Sequence, residues 1–531
     1  MFLAYAALEP MAGSRLSVVP CGAVLVRGVN WIGDAVMTIP ALRAVRCGLP
    51  DDTRLSLLVK PWVSPLFEKD PDLDEIITYS AEFRGVAGKF RLAKELRKRG
   101  FCLAVLFQNA FDAALLAYLA GIPQRIGYSR DGRRFLLSHP VAFDAAAKKL
   151  HHIDYYLELI KRAGFPVRDR TPWIFLGLEE RLRARALLKV LRRPVIAMNP
   201  GATYGSSKRW LPERFGEVAS RIINELNGSV VLLGGPTETG IAGEILESLP
   251  SDNRHSLLNL AGATSLRELI GVISEADLLL TNDSGPMHIG YAVGTPLVAI
   301  FGSTSPELTG PVGASDVIIK KSVPCAPCFD RECRKNDLAC MDLITSAEVF
   351  SALSKSVRTR RAVFIDRDGT LCRDADYLRR MEDLEIFPSV DRLQLLKDEG
   401  FSLIGVTNQS GIARGLVQEG FAQEVNRIFI SRHGFDAFYC CPHHPEEHCS
   451  CRKPEPGMLI RARNEHAIDL RQSFVVGDKD EDMILARTVG AKGILVRTGK
   501  VLSSVHADAV AEDLGDAVKI ILANRGKHSG A

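Results

Sequence analysis

Two aspartates stand two residues apart in the stretch Ala-Val-Phe-Ile-Asp-Arg-Asp-Gly-Thr, which runs from Ala362 to Thr370. The apolar residues read as a buried parallel strand, which places Asp366 and Asp368 at its carboxyl end, where open α/β sheets bind ligands. Carboxylates this close repel. A shared proton or a hard, oxygen-ligated cation such as Mg²⁺ relieves the repulsion. One acid can then attack phosphorus to form an aspartyl-phosphate, while the second exchanges protons with leaving group and water. A strand ending in an Asp-Gly turn with two solvated acids is the competing reading.

Three further stretches supply what such a site lacks. The run Ser402 to Val406 ends in Thr407-Asn408-Gln409-Ser410-Gly411, whose hydroxyl and loop amides can hold a phosphoryl oxygen. Arg452-Lys453-Pro454 offers fixed cations, and Phe474-Val475-Val476-Gly477-Asp478-Lys479 is another strand ending in an acid, with Asp482 one helical turn on. These segments resemble, in type and order, the haloacid dehalogenase (HAD) phosphatases over about 360 to 500.

Between them, Cys441, His443, Cys449 and Cys451 form C-x-H-x₅-C-x-C on one short loop, a ligand set that suits a closed tetrahedral structural Zn²⁺. Cys440, His444 and His448 are rival ligands by proximity, and a redox loop is the alternative. Twelve cysteines without a secretory signal point to a reducing compartment. The cysteine loop followed by Arg-Lys-Pro is similar to that of the heptose bisphosphate 7-phosphatases within the superfamily. That resemblance implies Asp366 as nucleophile, Asp368 as general acid/base, and Asp366, Asp368 and Asp478 as Mg²⁺ ligands. It further implies Thr407, Arg452 and Lys453 at the phosphoryl group, with Asp374, Tyr377, Asn408, Gln409, Ser410 and Lys479 toward substrate. No insertion is long enough for a cap domain, so the cysteine loop is expected to line the entrance.

The elements that must position these residues extend over a chain of 531 residues, 46% apolar and 24% charged, enough for three or four globular domains. A net charge of +4 gives no reason to expect nucleic acid, and no run reaches the roughly 18 apolar residues of a membrane span. Residues 1–21 lack a basic n-region and carry Glu9, so they are expected to be a disordered extension rather than a signal peptide, with Met11 as an alternative start.

Ala23 to Arg27 reads as a strand, followed by Gly28-Val29-Asn30-Trp31-Ile32-Gly33-Asp34 and a helical pattern through Arg46, the first βα unit of a doubly wound sheet. Apolar runs at Leu55 to Val59, Glu75 to Tyr79 and Leu103 to Phe107 continue it. A second set begins at Val195 to Met198 and recurs at Ser229 to Leu233, Asp277 to Leu280 and Leu297 to Ile300, each ending in a Gly-, Ser- or Asp-bearing loop suited to a diphosphate. Two facing Rossmann-like domains with a cleft between them are the expectation.

The motifs Gly-Val-Asn-Trp-Ile-Gly-Asp at 28–34, Asn-Pro-Gly-Ala at 199–202 with Lys208-Arg209-Trp210, and Thr-Asn-Asp-Ser-Gly-Pro-Met-His at 281–288 resemble the ADP-heptose:lipopolysaccharide heptosyltransferases. The resemblance covers about 22 to 350 and implies a GT-B fold. It implies Asp34 as the base for the acceptor hydroxyl and Lys208 as neutraliser of the departing diphosphate. Thr203, Asp283, Ser284, Gly285 and His288 would bind the nucleotide sugar, and Glu238 its ribose. Each has a plainer reading: Asp34 favours a helix N-terminus, His288 packs, Lys208 is solvated.

The whole is then an α/β chain: a GT-B pair of Rossmann-like domains at 22–180 and 181–350, a linker at 351–361, and a capless HAD-like domain with a zinc loop at 362–531, its last residues disordered. The expected partners are ADP-heptose, heptose bisphosphate and an anionic lipopolysaccharide core at the inner membrane face. The expected location is the cytoplasm, with peripheral attachment open. Another nucleotide sugar, a histidinol-phosphate-like ester, or a non-catalytic scaffold are the alternatives. Two features stay outside this reading. Cys325, Cys328, Cys333 and Cys340 could hold zinc or sit reduced, and Arg130, Arg133 and Arg134 could grip acceptor phosphates or line a solvated loop.

Overall fold

The computed structural model describes residues 22–524 except 315, 358, 359 and 448. The expectations for residues 1–21, for the tail from 525 and for His448 as a ligand lie outside the described residues.

Strands β1 (Ala23–Arg27), β2 (Arg54–Val59), β3 (Glu75–Thr78), β4 (Leu103–Leu106), β5 (Gln124–Tyr128) and β6 (His139–Val141) form one parallel sheet in the order β3-β2-β1-β4-β5-β6. A second sheet comprises β7 (Val195–Asn199), β8 (Ser229–Leu232), β9 (Leu257–Asn259), β10 (Leu278–Asn282), β11 (Leu297–Phe301) and β12 (Val317–Lys320). A third comprises β13 (Arg361–Ile365), β14 (Phe401–Asn408), β15 (Ala437–Cys441), β16 (Phe474–Gly477), β17 (Lys492–Val496) and β18 (Ala509–Ala511). In each sheet the first strand lies between the second and the fourth. That is the doubly wound order, whose reversal opens a crevice at the carboxyl ends of the first and fourth strands. The central strands are buried on both faces: β1, β7, β10 and β11 carry no exposed residue, as a near-continuous apolar run requires.

The chain divides into two compact units. The first holds the first sheet. Within it Arg133, expected on a solvated or phosphate-gripping loop, is fully buried and donates to the Tyr128 carbonyl at 2.9 Å and the Asn109 Oδ1 at 3.0 Å. Burial draws its pKa down to about 10. It braces the turn after β5, and only its neighbours remain near solvent. Arg130 lies over the Phe143 ring, 4.5 Å from its centroid.

The second unit holds the second and third sheets, and its seam is ionic. Glu275, buried, pairs with Arg181 at 3.4 Å and Arg185 at 2.9 Å. Arg471 donates to the Ala276 carbonyl at 2.7 Å and pairs with Asp469 at 2.8 Å. Arg463 donates to the Tyr291 carbonyl at 3.1 Å, and a Cβ at Gly294 would collide with its guanidinium. Trp173 packs into the apolar cluster around Phe364 and Val475 of the third sheet. The segment expected as a linker is ordered at both ends. Helix Ser346–Ser356 buries Val349, Phe350 and Leu353 against the second sheet, and β13 begins at Arg361. Its apolar residues recur at helical spacing, a signal that the Ser and Lys content obscured.

Replacing Arg471 by Ala leaves Asp469 buried without its partner, so we expect a loss of about 3–5 kcal/mol in unfolding free energy, read from the urea midpoint. A change below about 1 kcal/mol would show the seam to be incidental.

Candidate active sites

The third sheet's crevice lies between β13 and β16, and the acids that follow those strands meet there. Carboxylate oxygens of Asp366, Asp478 and Asp482 lie within 4.8 Å of one another, all buried. Lys453 reaches in from the loop before helix Gly457–His466, its Nζ 2.7 Å from Asp366 Oδ1 and 2.7 Å from Asp482 Oδ1. Asn408 fixes that lysine's backbone from both sides, accepting from Lys453 N at 3.0 Å and donating to Lys453 O at 3.2 Å. Both side-chain oxygens of Asp478 are buried without a hydrogen-bond partner. Gly369 and Gly499 lie so close that a Cβ would fall 2.4 Å and 1.9 Å from an Asp478 oxygen. Gly369 also sits at φ +89°, where a side chain is strained.

Burial pushes all these acids up, and their partners decide the outcome. Asp366 ends below the ordinary carboxylate range because the Lys453 and Lys479 charges outweigh burial. Asp478, desolvated and facing Asp366, is pushed up to about 7, and Asp482, desolvated but paired to Lys453, to about 6. Orphaned buried oxygens beside a second carboxylate fit a divalent cation, whose charge offsets the repulsion.

Asp368, expected among the metal ligands, has its carboxylate outside that group of three. It pairs with Arg367 at 3.1 Å and accepts from Gln409 Nε2 at 2.6 Å and Thr407 Oγ1 at 3.3 Å. The acid that joins Asp366 and Asp478 is Asp482, whose Oδ2 also accepts from Lys479 N at 3.3 Å. Arg367 has 2% of its side chain exposed and also donates to Asn426 at 3.0 Å, so it sets the aim of Asp368. No sequence signal marked it, because a guanidinium beside an Asp reads as solvated until burial is known.

At the mouth, Asp374 faces Lys479 at 3.9 Å and Lys500 at 3.5 Å, and Lys500 also pairs with Asp376 at 2.8 Å. Tyr377, at φ +78°, packs where a Cβ on Gly411 would stand, beside Ser410 at the start of a short helix. Thr498 Oγ1 donates to Gly369 O at 2.6 Å, tying the Lys500 loop to the aspartate turn. Arg452 Nη1 is buried without a partner. Lys500 and the Thr498–Gly499 pair were missed, since they lie after the last strand that carries an acid.

Cys441, His443, Cys449 and Cys451 converge, while Cys440 and His444 stand outside the group. Tetrahedral zinc with bonds of about 2.0–2.3 Å sets ligand-atom separations of roughly 3.3–3.8 Å. Here Cys441 Sγ is 3.5 Å from His443 Nδ1 and 3.5 Å from Cys449 Sγ, and Cys451 Sγ is 3.2 Å from His443 Nδ1 and 3.6 Å from Cys449 Sγ. The four donors fit one such ion.

The second sheet's crevice lies between β7 and β10. Asn199 Nδ2 donates to Ser284 Oγ at 3.3 Å across it, and Asn282 Nδ2 donates to Pro200 O at 2.7 Å, which joins the two loops. Asp283 Oδ2 lies 2.5 Å from Lys208 Nζ and accepts from Thr304 Oγ1 at 2.6 Å. Lys208 is therefore ion-paired rather than solvated. Helix Gly285–Val293 starts at this point with Ser284 as its N-cap. Thr203 is exposed at the tip of the β7 loop. Glu238, expected at a ribose, is buried; its Oε2 accepts from Gly235 N at 2.8 Å, and a Cβ on Gly201 would fall 1.9 Å from its Oε1. Residues 31–36 cluster with this unit, where a Cβ on Gly33 would come within 2.6 Å of the buried His288 ring. Asp34 stands in the first turn of helix Ile32–Cys47.

Comparison with known proteins divides the chain after the second sheet. The model of glycosyltransferase family 9 (heptosyltransferase) matches residues 89–339, and a HAD-hydrolase-like model matches 450–517. Lipopolysaccharide heptosyltransferase 2 of Salmonella typhimurium is 30% identical over 56% of this chain and 87% of its own length. The D-glycero-beta-D-manno-heptose-1,7-bisphosphate 7-phosphatase of Yersinia pestis is 42% identical over 30% of this chain and 95% of its own length. The structure of Escherichia coli ADP-heptose heptosyltransferase II, 26% identical, superposes with a TM-score of 0.55 over 63% of this chain and 98% of that one.

The raised acids give a pH signature. Asp478 and Asp482 titrate near 7 and 6 when folded but near about 3.9 when unfolded, so the metal-free fold holds extra protons and loses stability as pH rises from about 4 toward 7. A divalent cation held by these carboxylates would replace those protons. The rise in melting temperature on adding Mg²⁺ should therefore grow between pH 5 and pH 8, and a shift independent of pH would contradict the assignment.

Proposed function

Because its N-terminal part belongs to the glycosyltransferase family 9 heptosyltransferases and its C-terminal part to the heptose bisphosphate 7-phosphatases, we propose that this chain is a bifunctional enzyme of lipopolysaccharide inner-core assembly. The observation that carries the C-terminal reading is the buried group of Asp366, Asp478 and Asp482 with Lys453 between two of its members.

In the phosphatase, Asp366 attacks the phosphorus of the 7-phosphate. The phosphorus–oxygen bond to the sugar breaks, and the leaving oxygen takes a proton from Asp368. Asp368 then accepts a proton from water, whose oxygen attacks the aspartyl-phosphate and releases inorganic phosphate. Arg367, Gln409 and Thr407 hold Asp368 in place for both transfers. Arg452, Lys453 and Thr407 surround the phosphoryl oxygens, and Asp374, Tyr377, Ser410 and Lys479 meet the sugar. Asp366 and Asp478, with Asp482 beside them, would hold Mg²⁺, which would supply positive charge to offset that of the transferring group. Cys441, His443, Cys449 and Cys451 hold a structural Zn²⁺.

In the transferase, Asp34 takes the proton of an acceptor hydroxyl whose oxygen attacks the anomeric carbon of ADP-heptose, and ADP departs. Lys208, held at the crevice by Asp283, and the N-terminus of helix Gly285–Val293 stabilise the diphosphate. Thr203, Glu238, Ser284, Gly285 and His288 line the nucleotide-sugar side. The acceptor is the anionic lipopolysaccharide core at the inner membrane face. Among the described residues no helix is long and apolar enough to cross a membrane.

Asp366→Asn should lower phosphate release from heptose 1,7-bisphosphate by roughly 10³-fold while transfer from ADP-heptose persists. Lys208→Ala should lower transfer by roughly 10²-fold while phosphate release persists. Loss of both activities in either variant, or a preference for another nucleotide sugar or phosphate ester, would overturn the reading.

A further inference from the structure

The segment 321–338, between β12 and the short helix Ala339–Asp342, contains no regular element, yet its shape is closely specified. Phe329, Asn336 and Leu338 adopt positive φ of 57°, 56° and 42°, conformations that side chains other than glycine adopt only when their surroundings impose them. Few apolar anchors are available to impose them, since Phe329 is 48% exposed.

The same segment props the loop that carries Lys208. Ser207 N donates to Arg331 O at 3.1 Å, Ser207 Oγ to Asp330 O at 2.5 Å, and Tyr204 OH to Phe329 O at 2.6 Å. Gly205 lies so near that a Cβ would stand 2.1 Å from Arg331 O. Phe329 N in turn donates to Ser303 O at 2.7 Å, next to the Thr304 that holds Asp283. The three docking residues, 329–331, fall between Cys328 and Cys333.

Cys325, Cys328, Cys333 and Cys340 are all free thiols, and the first three lie within electrostatic reach of Cys340. Cys340 Sγ sits 3.1 Å from where a Cβ on Gly302 would be, at the end of β11, so one thiol is fixed to the sheet while the other three ride on the loop. No three of these sulfurs lie within 4.8 Å of one another, so coordination would draw them together.

We propose that Cys325, Cys328, Cys333 and Cys340 form a four-thiolate site for a thiophilic divalent cation, Zn²⁺ or Fe²⁺, which staples this loop to the sheet and positions the Lys208 loop for the departing diphosphate. The spacing C-x₂-C-x₄-C-x₆-C supplies four soft ligands from one segment, as a closed structural site requires. Binding supplies the ordering free energy that the apolar contacts do not. The positioning role rests on the transferase reading of Lys208; the metal site does not.

Elemental analysis of the full-length chain tests it. Wild type should hold two equivalents of thiophilic metal per chain, Cys325→Ser/Cys328→Ser one, and Cys441→Ser/Cys449→Ser one, with the analysis itself distinguishing zinc from iron. Cys333→His, which keeps a ligand, should retain the metal that Cys333→Ala loses, and this separates ligation from misfolding. Metal content in Cys325→Ser/Cys328→Ser equal to that of wild type would overturn the site. That variant should also lose about tenfold or more in kcat/KM for ADP-heptose transfer, with phosphate release unchanged. Loss of the metal with full transfer would overturn the positioning role. An inactive wild-type transferase would count against the transferase reading alone, because the metal stoichiometry is measured without substrate.

Discussion

Reversal of strand order at the centre of each doubly wound sheet leaves a crevice at the carboxyl ends of the first and fourth strands, and the chemistry of this chain depends on that constraint. Asp366 and Asp478 follow β13 and β16; Asn199 ends β7, and Asp283 follows β10. Backbone hydrogen bonding fixes the strands in register, so residues far apart in sequence are brought side by side without any local signal to bring them there. The loops between are free to differ, which is how one topology serves a lysine-centred crevice in one sheet and an acid-centred crevice in another.

The two crevices resolve their charges in opposite ways. In the second sheet one lysine meets one aspartate, and Lys208 and Asp283 are nearly neutral as a pair. In the third, three acids face Lys453 and the more distant Lys479, and the surplus negative charge falls on Asp478, whose oxygens have no hydrogen-bond partner and only Lys479 at 3.9 Å as a counter-charge. An unpaired buried carboxylate costs several kcal/mol unless it is protonated or bound to a cation. A site arranged this way is built to be completed from outside.

Much of this was legible in the sequence. The apolar runs at 23–27, 195–198, 362–365 and 474–476 each became a central strand, and Asp366 and Asp478 stand just after the last two. The aim of the Asp368 carboxylate was not legible, because it turns on Arg367, whose burial is a tertiary fact. Asn408, read as a substrate contact, also clamps the backbone of Lys453, and Glu238, read as a ribose contact, also bonds within its own turn. Polar side chains near a phosphate site serve either the ligand or the loop that presents it, and residue type alone does not separate the two. Helix Ser346–Ser356 runs into the segment read as a linker, and its buried face of Val349, Phe350 and Leu353 was obscured by the Ser and Lys around it.

The seam around Arg463 and Arg471 ties the second and third sheets into one folded unit. Their side-chain groups stay separate: the acids around Asp366 follow strands of the third sheet, and Lys208 and Asp283 follow strands of the second. The central claim is that the crevice of the third sheet makes a covalent enzyme with Asp366 as its nucleophile. Borohydride added during turnover of heptose 1,7-bisphosphate, followed by peptide mass analysis, tests it most directly. Reduction of the acyl-phosphate should leave homoserine at position 366 and nowhere else. An unmodified Asp366 in an enzyme still releasing phosphate would contradict the account.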